Sequence, residues 1–189
     1  MDWEHWWHDV LEDIETWCRN KSPIWRAILL LYFGYAGVHS VFDPEYQNFF
    51  SGITFGIHEL GHVLFSFAGL FISVLGGSLA QVAAPLIVIG GFLRQRDYFA
   101  VTIGSSWLSL SLSNLATYVG DARAQSLPLL GLTDDPIHDW HYLLSALGLL
   151  NFDTKLALLI RVLALGIILA SVASGAWICY RMHVLSQKG

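Results

Sequence analysis

Residues 49 to 73 run FFSGITFGIHELGHVLFSFAGLFIS, an apolar stretch long enough to cross a roughly 30 Å hydrocarbon layer as a helix. Its only ionisable groups are His58, Glu59 and His62. A carboxylate at the centre of a bilayer costs on the order of 2.5 to 3.5 kcal/mol even on the lenient insertion scale, so Glu59 between two histidines calls for compensation by a metal, water or partner group.

Outward from this stretch the same pattern repeats. Ser22-Pro23 reads as a helix N-cap followed by the first helical proline, and Ile24 to about Phe42 forms a first span that Asp43-Pro44 stops. The 49–73 segment is the second. Gly76-Gly77 separates it from a short third segment, about Ser78 to Leu93. The charged turn Arg94-Gln95-Arg96-Asp97 leads to a fourth span, Tyr98 to about Val119, and Lys155 to about Tyr180 makes a fifth. The expected fold class is therefore all-α, a polytopic transmembrane helix bundle of about five spans. Gly34 with Gly37, Gly52 with Gly56, and the series Ser106, Ser109 and Ser113 supply small faces for close helix packing.

Before the first span, residues 2 to 18 place Trp3, Trp6, Trp7, Val10, Leu11, Ile14, Trp17 and Cys18 at helical spacing, with acidic residues between them. Tryptophan favours the headgroup level, so residues 1–21 are expected to form an amphipathic interfacial helix; a helix docked on a partner protein would carry the same stripe. Residues 22–189 form the transmembrane helical domain. Its polar loop, at about 120–154, holds Asp121, Arg123, Asp134, Asp135, His138, Asp139, His141 and Asp153.

Composition agrees with a membrane protein: 54% of residues are hydrophobic and only 13% charged, gathered into the leader, one turn, the loop and the tail. A net charge of −5 with no long basic run offers no electrostatic footprint for nucleic acid. Two cysteines, Cys18 and Cys179, make neither a disulfide framework nor a zinc-finger pair. The acidic, tryptophan-rich leader matches neither a secretory signal nor a transit peptide.

The chemistry lies in His58-Glu59-Leu60-Gly61-His62. On a helix the two histidines stand about 40° apart around the axis, so both imidazoles reach one metal ion while Glu59 borders the same face. Two neutral histidines and a third protein ligand are what a hydrolytic zinc site needs, with a carboxylate just outside them to take a proton from water. Gly61 leaves the helix surface free for close approach. The third ligand is expected from the polar loop, Asp121 first and His138 second, with Asp139 and His141 also in range.

An intramembrane motif of this kind in a small polytopic chain resembles the site-2 protease family of membrane-embedded zinc metallopeptidases. That resemblance implies that His58 and His62 bind zinc, that Glu59 is the catalytic base, and that an aspartate of a later motif completes the site. Gly120-Asp121-Ala122, after Asn114, is the nearest match to that later motif. The chain is also similar over most of its length to small bacterial membrane proteins with a histidine-glutamate motif, a Gly-Gly-Ser-Leu turn (Gly76 to Leu79) and a distal His-Asp-Trp (His138 to Trp140). The implied activity is hydrolysis of peptide bonds in membrane proteins, in a bacterial inner (cytoplasmic) membrane. The alternative is a non-catalytic metal-binding or accessory subunit of a larger membrane complex.

Overall fold

The computed structural model describes residues 3–128 and 137–187, with side chains from His8 onward. Asp134 and Asp135 of the polar loop, and the side chains of Trp3, Trp6 and Trp7, lie outside the described residues. Seven α-helices, and no strand, occur among those described: α1 (Trp3–Cys18), α2 (Ile24–Phe42), α3 (Ser51–Phe65), α4 (Leu70–Arg94), α5 (Tyr98–Gly120), α6 (Asp139–Ala146) and α7 (Asp153–Ser186).

Among the described residues three segments are long and apolar enough to cross a membrane: Ile24–Phe42, Leu70–Arg94 and Leu150–Ser186. The other two expected spans differ for separate reasons. At 15 residues α3 is too short. α5 has the length, but much of its apolar capacity is replaced by serine. Ser106, Ser109 and Ser113 are fully buried, and the Ser109 hydroxyl donates to the Ala164 carbonyl at 2.7 Å. A helix enclosed by α2, α4 and α7 gains more from small polar residues that let backbones approach than from bulk.

The break expected at Gly76-Gly77 falls instead at Gly69, whose φ of +89° is open to glycine and strained for other residues. Gly76 and Gly77 lie inside α4, where they hold it against α3. A Cβ on Gly61 would stand 2.3 Å from the Gly76 carbonyl oxygen, and one on Gly76 would stand 2.8 Å from that of Gly61. Gly37 likewise receives Ile168, whereas Gly52 and Gly56, expected to pack, face open space.

The principal core lies where α5 and α7 run along one another, built from Leu108, Leu112, Leu115, Val119, Ala157 and Ala164, with Val41 of α2 closing it. A smaller core receives α1: Ile14, Trp17 and Cys18 meet Tyr98, Phe99, Ile178 and Met182. Asp13 accepts from Arg96 at 2.7 Å and from the Tyr98 hydroxyl, and Glu15 pairs with Arg181. The hydrogen bond from Tyr98 holds the Asp13 carboxyl below its ordinary pKa. Part of the leader's apolar stripe is thus spent on the chain's own bundle, while Leu11 stays exposed.

Candidate metal centre

The α3–α4 contact sets the first half of the site. Ser73, Gly77 and Gln81 recur at intervals of four along α4, so one stripe of that helix meets His58 and His62 of α3. His62 Nδ1 lies 2.9 Å from the Ser73 carbonyl oxygen, and the Ser73 hydroxyl donates back to the His62 carbonyl at 3.1 Å. A carbonyl can only accept, so His62 Nδ1 carries a proton, and in the neutral ring Nε2 is left with a lone pair. His58 Nδ1 lies 3.0 Å from Gln81 Oε1.

The second half comes from α6, far along the chain. Asp139, its first residue, places Oδ2 2.9 Å from His58 Nε2 and 3.2 Å from His62 Nε2. These are close to the edge of a tetrahedron around an ion held at about 2.0 Å by each ligand, an edge of about 3.3 Å. His58, His62 and Asp139 form a group whose ligand atoms lie within 4.8 Å of one another.

Gly77 leaves room beside the two rings: a Cβ there would fall 2.7 Å from His58 Nε2 and 2.7 Å from His62 Nε2, so any side chain would crowd both nitrogens. The donor set, two imidazole nitrogens and one carboxylate oxygen, fits the three protein ligands of a zinc site of the catalytic type.

Asp139 is held by contacts from three directions. Its backbone N–H donates to the Tyr118 hydroxyl of α5 at 3.0 Å. Trp140 Nε1 donates to Ser78 Oγ of α4 at 3.1 Å. His138 caps α6, its Nδ1 accepting from the His141 N–H at 3.2 Å.

Asp121 and His138, the two residues favoured as third ligand from sequence, do not join the histidine pair. With Nδ1 spent on the cap, His138 turns Nε2 to Asp121 Oδ2 at 3.3 Å. Asp121 also accepts from the backbone N–H groups of Ser126 and Leu127, each at 3.0 Å. Both therefore brace the chain leaving α5 and entering α6. His141 Nδ1 lies 2.8 Å from the Ala122 carbonyl oxygen. The position that does reach the pair, Asp139, had its sequence signal in the His-Asp-Trp run, where the cap, the carboxylate and the tryptophan anchor are consecutive.

Glu59, one residue from His58, is half-buried and hydrogen-bonded to no group among the described residues. It lies within electrostatic reach of His62 and Tyr118. Asn114 of α5 is exposed beside the same cluster, its Oδ1 3.3 Å from Gln81 Nε2. Compared with known proteins, the chain matches no family model, no curated protein and no solved structure.

Proposed function

We propose that this chain is an integral membrane zinc metallopeptidase that hydrolyses peptide bonds of membrane proteins, with His58, His62 and Asp139 as the metal ligands. The observation that carries the proposal is the convergence of His58 Nε2, His62 Nε2 and Asp139 Oδ2, with Gly77 leaving room beside the two histidine nitrogens. Three electron-rich atoms at this separation need a proton or a cation among them, and the room left by Gly77 suits a cation with an open position.

A zinc ion bound there would polarise a scissile carbonyl and bring the pKa of water toward about 7. The chain's own residues supply the rest. Glu59, hydrogen-bonded to no group among the described residues and within electrostatic reach of His62, would accept a proton from attacking water and return it to the leaving amine. Asn114 offers an exposed carboxamide to an extended substrate backbone, which a helical substrate must locally unwind to present. Three membrane-length helices and the resemblance to small bacterial membrane proteins support a bacterial inner membrane location, with α1 lying along the interface as well as docking on α5 and α7.

The test is metal content by inductively coupled plasma mass spectrometry on detergent-purified wild type, His58→Ala, His62→Ala and Asp139→Ala. About one zinc per chain, lost in all three variants, is expected. A well-folded wild type without metal would remove the basis for peptidase chemistry and favour an accessory membrane subunit.

A further inference from the structure

Gln81 is buried, 3% exposed, in the middle of α4, where a polar amide is retained only if its groups are satisfied. Both ends are. Its Nε2 donates to the Ser111 carbonyl oxygen at 2.9 Å and to Asn114 Oδ1 at 3.3 Å. Because the Ser111 carbonyl can only accept, the NH₂ end of the amide must face α5, and Oε1 must face His58 Nδ1 at 3.0 Å. An amide oxygen accepts and does not donate, so the proton of neutral His58 belongs on Nδ1. Nε2 is then left as the lone-pair nitrogen directed at Asp139.

The surrounding backbone is unusual at the same place. Pro85 lies inside α4 four residues beyond Gln81 and lacks the N–H that would close on the Gln81 carbonyl. Gly77, one turn before Gln81, leaves room beside the two histidine rings. Gln81 is therefore the one described side chain that joins a histidine of the site to the backbone of α5, the central helix of the bundle.

We infer that Gln81 is a positioning residue: anchored on α5, it fixes the His58 tautomer and ring orientation so that Nε2 is the metal-binding nitrogen. This rests on the metal site proposed above and extends it to a residue that touches neither metal nor substrate. Acceptors of this kind on a ligating histidine raise its basicity, and their removal costs about 10 to 100-fold in metal affinity.

Two substitutions separate this role from a merely structural one. Gln81→Glu keeps an acceptor for His58 Nδ1 and loses the donor to Ser111 and Asn114; Gln81→Met keeps the volume and loses both. Zinc affinity of the full-length protein in detergent, measured by competition with a chromophoric chelator, is expected to fall about 10 to 100-fold in Gln81→Met and to fall less in Gln81→Glu, which loses the anchor on α5 but keeps the acceptor. Equal losses in the two variants, or no loss in Gln81→Met, would overturn the inference while leaving the metal site intact. A wild type that binds no zinc would overturn both. Nitrogen-15 NMR of the histidines in metal-free wild type reads the tautomer without any variant: a proton on Nδ1 of His58 supports the assignment, and a proton on Nε2 refutes it.

Discussion

His58 Nε2 and Asp139 Oδ2 stand 2.9 Å apart although 81 residues separate them in the chain. One belongs to the apolar motif helix α3, the other to the first turn of α6 in the polar loop. The metal-site proposal depends on this meeting, and so do most of its tests.

Asp139→Asn keeps the size of the side chain and removes its charge. It is expected to lower zinc affinity by at least about tenfold, whereas Asp121→Asn, at a residue that braces the α5 exit, should have the smaller effect. Chelator competition on both proteins checks the order, and a larger loss in Asp121→Asn would return Asp121 to the ligand set.

Gly77→Ala puts a methyl group 2.7 Å from both metal-facing nitrogens, crowding both. Metal binding should be abolished. Gly90→Ala in the same helix meets nothing within 4 Å, so it should retain zinc and gain roughly 0.5 to 1 kcal/mol from helix propensity. Metal content and thermal unfolding in detergent read both effects.

Glu59→Gln removes a base and no ligand. The variant should bind zinc like wild type while cleavage of a confirmed membrane substrate drops about 10² to 10⁴-fold. Undiminished cleavage would take the base assignment away from Glu59.

His138→Asn provides a test of capping against ligation. Asparagine is among the best N-cap residues and alanine among the poorest, so zinc binding should survive in His138→Asn better than in His138→Ala. If His138 were itself a ligand, the two variants would fall together.

Asp153, 1% exposed at the start of α7, pairs with Arg123 at 2.7 Å and accepts from the Thr154 N–H at 2.6 Å. Arg123→Ala would leave this buried carboxylate without its cation, so the variant should melt at a lower temperature than wild type at neutral pH, as thermal unfolding in detergent would reveal.

Helix α2 was legible in the sequence to its last residue, because its ends are marked by Ser22-Pro23 and Asp43-Pro44, which act locally. The α3–α4 boundary was not. Gly76 and Gly77 look like punctuation on a linear reading, yet their purpose is contact with Gly61, His58 and His62 on another helix, and no local rule distinguishes a glycine that breaks a helix from one that admits a neighbour. The central position of α5 was hidden for the same reason, since its serines serve packing partners elsewhere in the chain.

By itself the sequence determined an all-helical chain with membrane-length apolar segments and a histidine pair one helical turn apart, because hydrophobic length and the 3.6-residue period are properties of short segments. It also marked the polar loop from which a third ligand would come. Which loop residue reaches the pair was decided only in three dimensions. Asp121, His138 and Asp139 offer comparable chemistry. The cap formed by His138, the Tyr118 hydroxyl and the Trp140–Ser78 hydrogen bond turn Asp139 alone toward the histidines, a choice made by packing between helices distant in the chain.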